Sequence, residues 1–269
     1  MSSPQSNLEV RRLGWAGLEL VCSGRSLVID LLEDASSLAP FVGEVHGPLP
    51  SPVPGSAAGL VTHLHADHAD PAALARALTP DGLILRPEPA RGEALETIAT
   101  TFAEQGFEKV AVETRVLEPW ESVDLEPFMV TAVPAVDGFG DPQISWVVEA
   151  GGRRIFHGGD TVFHGFWWRI AMRLGPFDAA FLPANGAVCD FPHRQPPSAL
   201  VATMDPVQAA TAAHVLGAGL AVPIHYDAIH NPPVYAQVDR PAESFTAAAA
   251  ERGVEARVLE PGETLDWAA

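Results

Sequence analysis

Three histidines and two aspartates fall within eight residues, His63-Leu64-His65-Ala66-Asp67-His68-Ala69-Asp70, and no other stretch constrains the chain as much. Imidazole and carboxylate are the ligands preferred by borderline divalent metals such as zinc. The run before them, Ala57–Thr62, reads as a short buried strand. Side chains alternate along a strand, so His63 and His65 share one face while Leu64 enters a core. Ala66 permits a turn that brings Asp67 and His68 round to a second point. Asp70-Pro71 then reads as an N-cap followed by proline at the first helical position, opening a helix through Leu78. Ordinary polar turns are built from Asn, Ser and Gly and do not need two histidines at period two, so a rigid strand end is expected to present metal ligands on a loop.

The rest of the chain alternates strand and helix signals. Leu8 to Leu20 and Leu27 to Leu31 read as strands around the Ser23-Gly24-Arg25 turn. Residues 33–56 form a long loop rich in Pro, Gly and Ser, a length often tied to function. Ala90 to Gln105 has helical spacing at Ala94, Leu95, Ile98 and Phe102. Lys109 to Val133 and Ile144 to Phe156 read as successive strands, the second with a Gly151-Gly152 hairpin turn. Phe177 to Leu182 is a further strand. Helices are expected from Asp205-Pro206 through Leu216 and over Pro241 to Arg252, then a strand over Val254 to Leu259. This order gives an α/β or α+β class, and the length suits one domain over residues 1–269.

With His63, His65, Asp67 and His68 in place, the chain resembles the metallo-β-lactamase-fold superfamily, whose hallmark is His-x-His-x-Asp-His. The resemblance runs from about Leu8 to Leu265 and is nearest the branch of ascorbate-6-phosphate lactonases and N-acyl phosphatidylethanolamine phospholipase D enzymes. It implies a four-layer αββα sandwich. It also implies further ligands at later strand ends. Gly158-Gly159-Asp160-Thr161 is similar to the family's Gly-Asp-Thr motif, making Asp160 the implied bridging carboxylate. Pro223-Ile224-His225 matches its last histidine. Where relatives carry Val-Pro-Ala-x-His, this chain reads Val133-Pro134-Ala135-Val136-Asp137. Asp137 can ligate through oxygen, which tilts the site towards manganese or iron relative to zinc. It can instead orient a ligand, or mark a weakened first site; direct ligation is the reading taken.

The implied scheme assigns His63, His65 and Asp137 to one metal and Asp67, His68 and His225 to the other, with Asp160 between them. One or two divalent ions, zinc or manganese first and iron next, would activate a water or hydroxide for hydrolysis. Asp67 could also orient or deprotonate the nucleophile. Two other histidines are candidates for catalytic work. His164 lies in an aromatic run, Phe163 to Trp168, and could protonate a leaving group, although a hydrogen-bonded core histidine explains it as well. His193, with Arg194, lies in a loop after a strand and could bind an anionic group of the substrate, or simply be solvated. His46 reads as an exposed loop residue, His157 and His214 as structural; His230 lies near the last ligand.

Bulk properties limit the function classes. The net charge of −18 repels phosphate backbones, and Arg11-Arg12 and Arg153-Arg154 are isolated pairs, so nucleic acid is not an expected partner. No apolar run of about 20 residues is present, so no membrane span is expected. Met1–Asn7 lacks the features of a signal peptide, and Cys22 and Cys189 form no disulfide framework, so a reduced cytoplasmic setting is expected. Cys189 reads as a buried thiol rather than a ligand. The expected activity is hydrolysis of a small-molecule lactone, ester or related electrophile. The alternatives are a phosphodiesterase or phospholipase-like enzyme and a metal-binding protein without catalysis; a homo-oligomer is left open.

Overall fold

A computed structural model describes residues 7–267. The reading of a missing leader rests almost wholly on Met1–Ser6, outside the described residues. The first sheet is built from β1 (Glu9–Arg12), β2 (Leu18–Cys22), β3 (Arg25–Ile29), β4 (Ser56–Leu60), β5 (Leu78–Arg86) and β6 (Glu113–Val116), paired in that order. Its first three strands are antiparallel and β3 to β6 run parallel. Helices α1 (Ala39–Val42), α2 (Pro71–Ala77) and α3 (Ile98–Phe107) fall between them in sequence. The second sheet contains β7 (Ser122–Asp124), β8 (Met129–Pro134), β9 (Ile144–Ala150), β10 (Arg153–His157) and β11 (Phe177–Pro183). The chain continues through α4 (Trp167–Leu174, before β11), β12 (Val188–Cys189), α5 (Pro206–Leu216) and β13 (Ala218–Ile224). It closes with β14 (Tyr235–Ala236), α6 (Pro241–Glu251) and β15 (Glu255–Ala256). The order in the second sheet is β15-β13-β11-β10-β9-β8-β7, while β12 and β14 pair separately.

Period-two patterning places the layers. Leu27 and Ile29 of β3 pack with Trp146 and Val148 of β9 and Phe181 of β11 in a core between the sheets. The intervening Val28 faces outwards onto Leu74 of α2 and Phe107 of α3. Val147 and Leu182 face the opposite way, onto Trp167 of α4, Ala209 of α5 and Phe245 of α6. Each sheet is therefore apolar on both faces and covered by helices, which is the four-layer αββα sandwich.

Several boundaries differ from the sequence reading. Gly14, at φ +91°, breaks the first expected strand, and the Leu13–Gly17 turn between β1 and β2 carries Trp15. The expected helix from Ala90 begins only at Ile98. Gly92 takes φ +151°, and the Glu96 carboxylate accepts the Glu93 N–H at 2.6 Å, closing a local turn instead. Strand β5 and helix α4 were not foreseen. The Leu83-Ile84-Leu85 run is too short to identify a strand by period alone, and α4 is hidden in an aromatic run of which Trp167 is buried while Trp168 is exposed.

Candidate metal centre

Strand β4 ends at Leu60, and its continuation holds His63 in an isolated antiparallel bridge to Gln143. His65 O accepts the N–H groups of both His68 and Ala69, so the chain turns tightly and returns His68 to the same region. Asp70 then caps α2, its carboxylate accepting the Ala73 N–H, with Pro71 following. The second sheet delivers the remaining groups from its strand ends: Asp137 after β8, Asp160 after β10 and His225 after β13. His225 adopts φ +60°, and its N–H donates to Trp15 O at 2.8 Å.

These residues converge. Ring centroids are 4.4 Å apart for His63 and His65, 4.2 Å for His63 and His68, and 5.0 Å for His68 and His225. One potential ligand atom each from His63, His65, Asp137 and Asp160 lies within 4.8 Å of the others; His68, Asp160 and His225 form a second such group, and His63, Asp67 and His68 a third. Asp67 Oδ2 lies 3.4 Å from His225 Nε2 and 3.5 Å from His68 Nε2. The fit to a metal rests on the atoms left over. His63 Nε2, His68 Nε2, both ring nitrogens of His225 and Asp137 Oδ2 are buried without a hydrogen-bond partner. Such groups cost free energy unless something else satisfies them, and one or two divalent cations would satisfy the two Nε2 atoms, Asp137 Oδ2 and one nitrogen of His225.

Each ligand atom is held from behind. Asp30, fully buried, accepts His68 Nδ1–H at 2.8 Å, Thr62 N–H at 2.8 Å and the Thr62 hydroxyl at 2.7 Å. The Thr62 oxygen in turn takes His63 Nδ1–H at 3.1 Å, so one carboxylate turns both Nε2 lone pairs towards the centre. Asp141 takes His65 Nε2–H at 2.9 Å, leaving Nδ1 facing Asp137 Oδ2 at 3.9 Å. Asp137 Oδ1 is occupied by the N–H groups of Phe139 and Asp141. Gln143 donates to Asp160 Oδ1 at 2.9 Å, and the Trp15 indole donates to Asp67 Oδ2 at 3.0 Å. None of Asp30, Asp141, Gln143 and Trp15 was singled out from sequence; a lone acid inside the apolar run Leu27–Leu32 was the available signal for Asp30.

The charges are strongly coupled. Burial opposes a proton on His65 and on His68, but the facing acids outweigh it and raise them to about 10 and about 9. Burial pushes Asp160 up to about 7, with Asp137 and Asp67 adding to it against His68 and His65. Burial lowers His225 to about 4 and, with the neighbouring imidazoles, depresses His63. The acid field that favours protons on His65 and His68 equally favours a divalent cation.

His65, Asp67, Asp160 and His225 reach the floor of a cleft walled by Leu38, Phe41, Ile98, Phe102, Phe139 and Phe191. His193 and Arg194 also line it. His164 is not brought there: its ring stacks on Trp167 at 4.5 Å and 3°, and burial lowers it to about 4, so it is poorly placed to protonate a leaving group. His46, His214 and His230 are exposed. His157 is fully buried and donates to Ala16 O at 2.8 Å. The Cys189 thiol lines the cleft, but burial pushes it up to about 12, and it joins none of the ligand groups.

Residues 26–226 match the family model described as a beta-lactamase superfamily domain. The chain is 30% identical over 264 residues to a UPF0173 metal-dependent hydrolase of Thermus thermophilus, covering 96% of this chain and 98% of that protein. It is 32% identical over 213 residues to one of Opitutus terrae, covering 76% and 79%. Among solved structures, the isothiocyanate hydrolase from Delia radicum gut bacteria superposes with a TM-score of 0.68 at 21% identity, covering 96% of this chain and 98% of that one. The motif, the layered fold and these relatives agree: the chain belongs to the beta-lactamase superfamily and is a metal-dependent hydrolase of the UPF0173 group.

Proposed function

We propose that the protein hydrolyses a small-molecule lactone or ester at a centre of one or two divalent ions, zinc or manganese first and iron next. The observation that carries this reading is that His63, His68, His225 and Asp137 carry buried, unpartnered atoms and fall into overlapping ligand groups, two of which share Asp160. His63, His65 and Asp137 would hold one ion and Asp67, His68 and His225 the other, with Asp160 shared. The metal supplies Lewis acidity, lowering the pKa of a water and polarising the bond under attack. Asp67, fixed by the Trp15 indole, orients the nucleophile and accepts its proton. His193 contacts the substrate from the cleft wall. The described residues, 7–267, form one hydrolase domain, supported by the core shared between its sheets. A reducing, cytoplasmic setting fits two cysteines that form no disulfide.

The test is elemental analysis of protein purified without chelator, followed by assays on lactones, esters, amides and phosphodiesters. Two ions per chain and chelator-sensitive turnover of a lactone or ester are expected. Full metal content with no turnover of any class would replace this reading by a non-catalytic one. Asp137→Ala is expected to lose one ion; unchanged metal content and rate would remove its ligand role.

A further inference from the structure

The cleft above the centre has a composition that selects its occupant. Its outer wall is aromatic: Phe41 and Phe102 stay 45% and 56% exposed with ring centroids 6.2 Å apart, and Phe139 and Phe191 sit deeper with centroids 5.4 Å apart. Large exposed apolar side chains gathered at a binding cleft mark a surface meant to be covered. The wall's own cationic side chain is already engaged within the protein. Arg194 donates to Asp141 Oδ2 and to the carbonyls of Leu95 and Glu96 at 3.3 to 3.4 Å. Burial and Arg194 both lower His193, which disfavours the charged form of its imidazole.

Two buried neutral hydroxyls remain in the wall, those of Thr203 and Tyr235. Thr203 Oγ1 is buried in the wall with no hydrogen-bond partner, and Thr203 is only 2% exposed. Tyr235 Oη accepts Asn185 Nδ2–H at 2.8 Å, and Asn185 Oδ1 accepts the Ala187 N–H at 3.3 Å, which fixes the amide. The phenolic proton is therefore left to donate. Both residues belong to one wall: Tyr235 is in register with Cys189, and the Ala202 N–H donates to Ala187 O. The Tyr235 phenol stays protonated, since burial together with Cys189, Asp67 and Asp160 raises it well above its ordinary value.

From these features we infer that the substrate is uncharged and carries an apolar chain, its polar group meeting the hydroxyls of Thr203 and Tyr235 while the chain lies along Phe41, Phe102, Phe139 and Phe191. This rests on the hydrolase reading for the place of reaction, but the recognition can be measured without turnover. The metal-loaded protein is titrated calorimetrically with methyl n-alkyl ketones from 2-butanone to 2-decanone, and with equally long ketones ending in a carboxylate. Affinity is expected to rise roughly threefold per added methylene. Phe102→Ser should flatten that dependence. Thr203→Val should instead shift the whole series by roughly tenfold without lowering the melting temperature, because its hydroxyl has no partner inside the protein. Tyr235→Phe should give a parallel shift as well. A series independent of chain length, or tighter binding of the terminal carboxylates, overturns the inference. An intact binding series with no hydrolysis of any carbonyl compound leaves it standing and removes the lactone or ester reading alone.

Discussion

Asp30 shows how far one side chain can reach. Its carboxylate binds no substrate, yet it sets the tautomers of His63, through Thr62, and of His68 directly. Asp30→Ala is expected to weaken metal binding by about 10- to 100-fold, read by competition with a chromogenic chelator; wild-type affinity would show that the imidazoles are held by packing alone. Such a residue is hard to read from sequence because its partners lie 32 and 38 positions away. His63, His65, Asp67 and His68 were legible for the opposite reason, since one turn delivers them together. His164 gives a different outcome at this scale. Its folded value of about 4 lies below the ordinary 6.5, so the unfolded chain takes up a proton first as the pH falls. Its contribution is present above pH 6.5 and is lost between about 6.5 and 4. A His164→Phe variant should lose less stability than the parent across that window in urea titrations, and equal losses would contradict the assignment.

Among the elements, strand ends do most of the positioning. The stretch after β10 has Gly159 at φ +66°, where an added Cβ would lie 2.7 Å from Thr62 Oγ1 and 2.9 Å from Gln143 Nε2. That closeness lets Gln143 grip Asp160 while Thr62 serves His63. Gly159→Ala is expected to destabilise the fold by more than about 1 kcal/mol from backbone strain alone, and to lower metal content with it. A melting temperature and metal content equal to the parent's would show that the turn can relax. The helices opened by Asp70-Pro71 and Asp205-Pro206 were legible because their start signals are local; the second also closes a capping box with Gln208. The start of α3 was not, because helical spacing at Ala94 and Leu95 was overridden by the Gly92 turn. That irregular stretch supplies the carbonyls that restrain Arg194.

Across the whole molecule, the centre sits where the two sheets meet. His63, His65, Asp67 and His68 follow a strand of the first sheet; Asp137, Asp160 and His225 follow strands of the second. The order of strand ends along the sequence made this arrangement legible. The shared central core did not follow from it, since alternation places a side chain on a face without saying which sheet that face meets. Trp15 lies at this junction. Its ring centroid is 4.0 Å from that of His225, and its indole N–H is on Asp67. The protein thus carries a built-in optical reporter: a cation arriving between that imidazole and carboxylate changes the field at one indole. Zinc titration should alter tryptophan emission in the parent and leave that component absent in Trp15→Phe, whereas an identical response in both would assign the signal to another of the six tryptophans.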